Sequence, residues 1–373
     1  MILKRRIELN PKKNYLLLGP RRVGKSTFLK SEVTAEMRID LLMSDVYFEY
    51  RSRPALLRER LQNSEGTVVI DEIQRIPELS HEVHWLIENT NLRFILSGSS
   101  ARKLRKQGVT NLAGRLRTER MFPLTWQECP SDVTLMRLLQ YGALPPILFS
   151  DEPELDLKDY CGEYLREEVH AEGFVRNLQA FTRFLELAAF SNAEIISYTA
   201  TARDCGVSAK TVAEYYQILE DTLLGYFLEP FTKTKKCRAI QTKKFYYFDC
   251  GVTNCLLDRK LSEKTAEFGK SFEQFIVLET LAAASYNKNI SRVNFWRSAN
   301  GHEVDLLLNE NTAVEIKSRG AHISDAAGIL ALEEDIPLKN KWIVTTESSS
   351  RQLANGIEVL TWKDYLQRLS AIL

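Results

Sequence analysis

The sequence predicts an α/β protein that opens with a parallel, doubly wound sheet. Three observations predict this class: short apolar runs alternate with segments of helical spacing, a glycine-rich loop joins the first run to the first helix, and two acids end the third run. The chain has 373 residues, of which 44% are hydrophobic. This length suits about two or three globular domains. We expect four segments, at residues 1–130, 131–193, 194–250 and 251–373.

The first segment alternates between predicted strands and predicted helices. The helices begin at the glycine-rich loop, at Pro54 and at Leu79. Residues 102–120 are basic and poorly apolar, so we expect a surface loop with a short helix there. The predicted strands cover residues 14–18, 37–43, 67–73 and 92–100.

The later segments change character twice. Residues 131–193 are predicted to be a helical lid or linker, with Pro145 and Pro146 and an acidic stretch marking a boundary. Residues 194–250 read as helix, turn, helix and two strands. The last segment reads as a helix at 271–285 and then strands at 291–298, 303–309, 312–318, 341–346 and 357–362.

The composition excludes several classes of protein. There are 50 basic and 49 acidic residues, a net charge of +1, so the overall charge does not point to nucleic acid. The six cysteines form no C-x-x-C pair, so neither zinc nor a disulfide scaffold is expected. The sequence has no secretory signal, and no apolar stretch approaches the roughly 18 residues of a membrane helix. We therefore expect a cytoplasmic protein without membrane contact.

The loop after the first predicted strand fits the pattern G-x-x-x-x-G-K-S completely. Glycines let backbone N–H groups point inward as a nest for phosphates, and the next helix directs its positive end there. Lys25 adds positive charge at the β- and γ-phosphates, and the Ser26 hydroxyl is a ligand for Mg²⁺. The predicted nucleotide-binding residues are Gly19, Pro20, Arg21, Arg22, Val23, Gly24, Lys25, Ser26 and Thr27.

Two acids, Asp71 and Glu72, end the third predicted strand. In doubly wound folds ligands bind at the carboxyl ends of the strands. We expect Asp71 to hold Mg²⁺ through water and Glu72 to act as a base on the attacking water. A second acid favours hydrolysis over phosphoryl transfer to a substrate. One serine at the end of the neighbouring strand is expected to contact the γ-phosphate, and the sequence does not decide among Ser97, Ser99 and Ser100.

Several motifs occur in the order found in one known family. They are GPRRVGKST, VVIDEIQRIPEL, FILSGSSARKL, LAGRL and FPLTWQE. Together they resemble the bacterial and archaeal AAA-plus-type ATPases that carry a conserved C-terminal domain of unnamed function. The resemblance is clearest over residues 10–130, and the later segments extend it to nearly the whole chain. It implies binding and hydrolysis of ATP, and it makes a ring-shaped homo-oligomer an expectation.

Arg115, within LAGRL, is the candidate for an arginine that stabilises phosphate charge. It would act on the nucleotide of its own chain or across a subunit interface. The alternative is an ordinary surface arginine.

A helix-turn-helix is predicted within residues 194–250. Gly206 suits a left-handed turn position and Ser208 suits a helix N-cap, so helices are expected on both sides. The strands GYFLEPF and KFYYFD then resemble a winged-helix hairpin, with Lys210 at the start of the recognition helix. A packing role is the alternative, since acids on the second helix would repel DNA. The cations that predict DNA contact through this hairpin are Lys233, Lys235, Lys236, Arg238, Lys243 and Lys244.

The last segment carries a carboxylate pattern typical of nucleases. Asp305 stands on one predicted strand, and Glu315 and Lys317 point to the same face of the next strand. Two carboxylates with a lysine suit a Mg²⁺ site beside a water activator, and Glu273 on the preceding helix offers a further carboxylate. The order of elements resembles the PD-(D/E)xK nuclease fold, although Val304 replaces the proline. Cleavage, DNA binding without cleavage, and a solvated ion pair all remain open.

Two functions fit these features. The first is an ATP-driven protein that remodels or cleaves DNA through the nuclease-like segment. The second is an ATP-dependent regulatory switch that assembles on a protein partner, with the last segment as a non-catalytic scaffold. The carboxylate pattern and the basic hairpin favour the first. A transport ATPase is not favoured, because the chain has no membrane-coupling element.

Overall fold

A computed structural model describes most of the chain as two compact units. The first unit comprises residues 1–129 with the short pieces 144–146 and 217–224. The second comprises residues 130–143, 147–216 and 225–373. The described strands form one β-sheet in each unit. The structure describes residues 3–100, 112, 114–164, 177–234, 239–287 and 289–371.

The first unit is built on a five-stranded, fully parallel sheet. Its strands lie in the order β2-β3-β4-β1-β5. Four of the five residues of β3 are buried, as expected for a parallel strand covered on both faces. The strands are β1 (Tyr15–Leu18), β2 (Met37–Asp40), β3 (Thr67–Asp71), β4 (Arg93–Gly98) and β5 (Arg117–Arg120). The helices that follow them are α1 (Lys25–Glu32), α2 (Ser44–Ser52), α3 (Leu56–Leu61) and α4 (Leu79–Asn89).

Four predicted strands are present in the first unit, and two elements were not predicted. The predicted surface loop at its end contains β5, which pairs with β1 in parallel, Tyr15 opposite Arg117. The polar sequence of β5 gives no strand signal, because β5 lies at the edge of the sheet and only Glu119 among its residues is buried. Helix α2 lies where no helix was predicted, and residues 102–111 of the predicted loop lie outside the described part of the chain.

The second unit contains an eight-stranded mixed sheet. Its strands lie in the order β12-β13-β11-β10-β9-β8-β6-β7. Strands β9 and β10 form an antiparallel hairpin, whereas β10 pairs with β11 in parallel. The strands are β6 (Gly225–Pro230), β7 (Lys244–Tyr247), β8 (Val293–Arg297), β9 (Glu303–Leu308), β10 (Thr312–Lys317), β11 (Asn340–Thr345), β12 (Arg351–Gln352) and β13 (Glu358–Thr361).

Helices cover this sheet, and the longest has 21 residues. Helix α12 is N-capped by Thr265, whose hydroxyl accepts from the N–H of Phe268. None of the described helices is long and apolar enough to cross a membrane. The helices are α5 (Leu135–Tyr141), α6 (Pro145–Leu148), α7 (Pro153–Asp159), α8 (Leu178–Phe190), α9 (Tyr198–Cys205), α10 (Ala209–Asp221), α11 (Cys250–Leu256), α12 (Ala266–Tyr286), α13 (Ala327–Glu333) and α14 (Trp362–Ala371). Of these, the first two residues of α6 and the end of α10 belong to the first unit.

The predicted helix, turn and helix of residues 194–250 are observed as α9 and α10. Gly206 ends α9 in the left-handed conformation with φ 70°, and the Ser208 hydroxyl accepts from the N–H of Thr211 at 3.1 Å. Strands β6 and β7 pair antiparallel, as the hairpin prediction requires. The boundary expected at residue 250 does not separate this hairpin from the last segment, because β6 also pairs with β8.

Asp249 is a buried carboxyl that joins two parts of the second unit. It caps α11 by accepting from Val252 N at 3.1 Å, and its other oxygen accepts from Ala143 N at 2.7 Å. Burial raises its pKa to about 6, against hydrogen bonds that favour the charged form. The folded protein therefore keeps this proton in a pH range where the unfolded chain releases it.

We expect stability to fall through Asp249 as the pH rises from about 4 to about 6. In that window the folded state binds more protons than the unfolded state, so a higher pH favours unfolding. Between pH 4 and pH 7, the free energy of unfolding of the wild type should drop by about 2–3 kcal/mol relative to that of Asp249→Asn, whose side chain cannot ionise. Urea denaturation at pH 4, 5, 6 and 7 measures this difference. A difference that does not vary with pH contradicts the assignment.

Candidate functional site

The phosphate-loop sequence forms the turn between β1 and α1. Gly24 has φ 95° and directly precedes Lys25, the first residue of α1, so a side chain there would be strained. Gly19 is tightly enclosed, since an added Cβ would lie 2.5 Å from the carbonyl oxygen of Met121. Arg21, Arg22 and Thr27 are exposed at the loop, whereas Val23 is buried beneath it.

Lys25 lies over this loop. Its side chain is buried, and its ammonium group donates to the carbonyl oxygens of Gly19 at 2.7 Å and Pro20 at 3.0 Å. Gly24 has no side chain to cap α1, so the first amides of the helix keep their donor capacity. The loop therefore combines one positive charge with a helix N-terminus, which is the combination that binds phosphate groups.

Asp71 connects the ends of the central strands. The hydroxyl of Ser26, on α1, donates to one of its carboxylate oxygens at 2.6 Å, and the hydroxyl of Ser97, on β4, donates to the other. Strand β4 lies between β3 and β1, so the parallel order brings these carboxyl ends to one edge. The structure thus brings together the serine and the aspartate that were predicted to serve Mg²⁺.

Glu72 follows in a left-handed conformation with φ 59°, which is unusual for a residue other than glycine. Its carboxylate accepts from the amide of Gln74 and lies 3.4 Å from the Ser99 hydroxyl. Of the serines at this strand end, Ser97 contacts Asp71 and Ser99 contacts Glu72, while Ser100 is buried. Sequence reasoning missed Gln74, which donates to the Glu72 carboxylate. Its position two residues after Glu72 is the signal that could have identified it.

Arg115 is not near the phosphate loop. It lies two residues before β5, at the amino edge of the parallel sheet, and its carbonyl accepts from Asn14 just before β1 begins. Its guanidinium pairs with Glu88, near the end of α4. The phosphate loop lies at the opposite, carboxyl edge, so the prediction that Arg115 acts on the nucleotide of its own chain is wrong. Action across a subunit interface stays a prediction.

Arg5 is a buried residue that sequence reasoning missed. Its guanidinium donates to the carbonyl oxygen of Val23 in the phosphate loop at 2.6 Å and to that of Phe122 at 2.7 Å. It also pairs with Glu128 at 3.1 Å, and both side chains are at most 5% exposed. Arg5 therefore joins the phosphate loop to the segment after β5.

A second group of charged residues lies in the second unit, on β7, β9, β10 and α12. We call Glu273, Glu303, Asp305 and Glu315 the carboxylate cluster. Asp305 accepts from the backbone N–H of Ile316 at 2.7 Å, which ties β9 to the end of β10. Glu315 accepts from Lys317 at 2.6 Å through one oxygen. Its other oxygen, Oε2, is buried without a hydrogen-bond partner among the described residues.

Asp305 and Glu315 hold their protons unusually strongly. Burial, and then the nearby charge of Glu273, raise the pKa of Asp305 to about 6. Burial, and then Asp305, raise the pKa of Glu315 well above its usual value. In both cases burial and a neighbouring carboxylate disfavour the ionised form more than the nearby lysines favour it.

Lys244 is buried against the carboxylate cluster. Its Nζ lies 2.6 Å from Glu303, 3.4 Å from Glu273 and 4.0 Å from Asp305. The prediction that Lys244 contacts DNA from an exposed hairpin is therefore wrong, because only 4% of its side chain is exposed. Its position on β7 directs it inward, although its neighbour Lys243 is partly exposed.

The other predicted DNA contacts have different surroundings. Lys210 is exposed at the start of α10. Lys233 pairs with Glu310 at 2.8 Å and Lys243 pairs with Glu229 at 2.6 Å, so both positive charges are partly offset. Three further predicted residues lie outside the described part of the chain: Lys235, Lys236 and Arg238.

Glu273, Asp305 and Glu315 do not form one three-ligand metal site. Among the residues that the structure describes, no three acidic, histidine or cysteine side chains are grouped to hold a metal ion. Glu273 instead accepts from the Tyr246 hydroxyl at 2.9 Å and lies against Lys244. Asp305 and Glu315 still fit a metal ion, because Oε2 of Glu315 is buried without a partner and hard oxygen ligands suit Mg²⁺.

A cleft of about 970 Å³ opens beside this cluster. Glu273 and Lys317 both line it. Further cations lie in its wall, namely Lys264, Lys270 and Arg319. Lys270 pairs with Glu194 and Arg319 with Asp325, so their charges are partly offset.

Comparison with protein families matches three successive segments of the chain. Residues 11–129 match a family model described as "AAA domain". Residues 133–263 and 268–365 match two models that are each described as a domain of unknown function. Together with the phosphate-loop geometry, the first match supports an AAA-like P-loop fold for residues 11–129.

The chain is also similar to proteins of known sequence or structure. An uncharacterized protein of Mycobacterium tuberculosis is 28% identical over 303 residues, which cover 79% of this chain and 67% of the relative. An uncharacterized protein of Haemophilus influenzae is 23% identical and covers 94% of this chain and 93% of its own length. A Walker-type ATPase of Pyrococcus abyssi is 16% identical, with 65% of this chain and 90% of that chain covered. Its TM-score of 0.43 is too low to support an argument.

We expect Arg5→Met to destabilise the protein by about 3–5 kcal/mol, because it leaves Glu128 buried without its cation. The matched control is Arg53→Ala, which breaks an exposed pair with Glu59 and should cost at most about 1 kcal/mol. Urea denaturation of both variants measures the difference. Equal losses would contradict the structural role assigned to Arg5.

Proposed function

We propose that this protein binds ATP with Mg²⁺ at residues 19–27 and hydrolyses it. The observation that carries the proposal is the contact of Ser26 with Asp71 at the carboxyl edge of the sheet, one residue from Glu72. A hydroxyl and a carboxylate 2.6 Å apart are the oxygen donors that Mg²⁺ prefers. When bound, Mg²⁺ would neutralise charge on the phosphates.

The residues of the chain then divide the work of hydrolysis. Lys25 binds the β- and γ-phosphates once its ammonium turns from the loop carbonyls to the nucleotide. Glu72 orients the attacking water and accepts its proton. Gln74 and Ser99 hold the Glu72 carboxylate in place, since both reach the same oxygen.

We also propose a second activity, carried by the second unit. This proposal depends on the ATPase proposal only for its energy source. The helix-turn-helix of residues 194–250 contacts DNA as a winged-helix module, with Lys210 exposed at the start of its second helix. The PD-(D/E)xK nuclease-like segment of residues 251–373 cleaves or remodels that DNA. The observation that favours DNA is the basic cleft beside the carboxylate cluster.

Asp305 and Glu315 would hold Mg²⁺ in this segment, and the ion would stabilise charge on a phosphodiester. Lys317, which contacts Glu315 and lines the cleft, positions the attacking water. A homo-oligomer, in which Arg115 of one copy faces the nucleotide of another, completes the proposal. The competing function is the ATP-dependent regulatory switch that binds a protein partner through a non-catalytic scaffold.

Lys25→Ala should abolish ATP turnover and leave the fold intact. The ammonium group donates to the loop carbonyls of Gly19 and Pro20, so its removal takes positive charge from the phosphate site. Lys30→Ala, an exposed lysine on the same helix, is the matched control and should hydrolyse ATP normally. Phosphate release measures turnover, and circular dichroism checks the fold. Normal turnover by folded Lys25→Ala protein would refute the nucleotide site.

Asp305→Ala should eliminate Mg²⁺-dependent nicking of DNA while ATP hydrolysis survives in the other unit. DNA affinity should stay level or rise, because a negative charge is removed near the cleft. Asp132→Ala, an exposed acid of the same unit, is the control and should cleave normally. The measurement is cleavage in the presence of Mg²⁺ or Mn²⁺ of four DNA forms: supercoiled, linear, single-stranded and branched. No cleavage by the wild type on any of them would favour the regulatory switch.

A further inference from the structure

The carboxylate cluster contains its own cation. Lys244 reaches Glu273 from α12 and Glu303 and Asp305 from β9, so one ammonium faces three carboxylates from two elements. The side chain is also enclosed on its apolar side, where Nζ lies 5.4 Å from the centre of the Phe295 ring. A buried ammonium surrounded by carboxylates takes the place that a metal ion takes in a site built of the same ligands.

The charges of the cluster are unevenly distributed. Lys244 lies at the side of Glu273 and Glu303, whereas Lys317 contacts Glu315 at the other side. Arg297 adds a third positive charge, but it is 40% exposed and reaches Glu303 at 3.3 Å, where solvent screens it. Four carboxylates therefore face two ammonium groups, the buried one of Lys244 and the partly exposed one of Lys317. The shortfall is two positive charges when all four acids are ionised, which one divalent ion would supply.

The buried oxygen of Glu315 shows where this shortfall lies. Oε2 of Glu315 has no partner among the described residues, and Glu315 is only 8% exposed. Glu273, in contrast, has the Lys244 ammonium and the Tyr246 hydroxyl on one oxygen. Oε2 of Glu315 is thus the cluster oxygen that lacks a partner, whereas one oxygen of Glu273 already has two.

We propose that Lys244 is the resident cation between Glu273 and Asp305, and that the cluster consequently binds one divalent ion, at Asp305 and Glu315, instead of two. The inference rests on the metal site of the proposed function. In two-metal phosphodiesterases the second ion stabilises charge on an oxygen of the reacting phosphate. Here the Lys244 ammonium supplies a fixed positive charge on that side, and it needs no dissolved metal.

The test counts Mn²⁺ ions bound per chain by the loss of the electron paramagnetic resonance signal of free Mn²⁺. The protein is free of nucleotide and carries Asp71→Asn, which removes the acid of the other metal site. This background should bind one ion, and adding Glu315→Gln should abolish it. Adding Lys244→Met, which keeps the length of the side chain and removes the charge, should raise the count to two. Adding Glu273→Gln to that variant should return the count to one.

Lys244→Arg is the charge-preserving control and should keep the count at one. If Lys244→Met does not fold, Lys244→Met with Glu303→Gln removes one positive and one negative charge together and should also bind two ions. A background protein that binds none or two, or a folded charge-removed variant that still binds one, overturns the inference. The count requires neither ATP nor DNA, so a protein that counts as expected but never cuts DNA loses only the nuclease proposal.

Discussion

The first unit depends on the contacts that Asp71 makes at the carboxyl edge of the parallel sheet. Its two oxygens accept from Ser26 and Ser97, so one carboxylate joins the phosphate-loop helix, β3 and β4. Strands β2 to β5 are arranged around β1 so that these ends coincide. The charge that serves the nucleotide is therefore also part of the framework that positions the loop. Arg5 stabilises the same loop by donating to the carbonyl oxygen of Val23.

The second unit solves a different electrostatic problem. Burying several carboxylates together is costly unless cations or hydrogen bonds compensate the charge. Lys244 and Lys317 compensate part of it, yet burial and the neighbouring carboxylates still raise the pKa values of Asp305 and Glu315. A cation would stabilise the ionised form of these two groups, and Oε2 of Glu315 is buried without a partner to do so. The first unit, by comparison, satisfies Asp71 with neutral hydroxyl groups.

Both units bring polar and charged residues together in a candidate site, but the structural means differ. Backbone geometry dominates at the phosphate loop, where Gly24 and Glu72 adopt left-handed conformations that place side chains and amides at one edge. Side-chain packing dominates in the carboxylate cluster, where α12 and the three strands β7, β9 and β10 each contribute one or two charged groups. Loops specify the first site locally, and sheet topology specifies the second over a range of more than 70 residues, from Lys244 to Lys317.

The sequence by itself determined the parts of this protein that local chemistry encodes. The glycine spacing, the acids at the end of β3, the serines at the end of β4 and the Gly206 turn all follow from backbone geometry and strand period. The tertiary structure alone decided which charges meet. Lys244 belongs to a run of basic residues, yet it is buried because β7 turns it toward α12, and Arg115 lies at the edge of the sheet away from the phosphate loop. Strand β5 could not be predicted from its own residues either, because it is a strand by virtue of its pairing with β1.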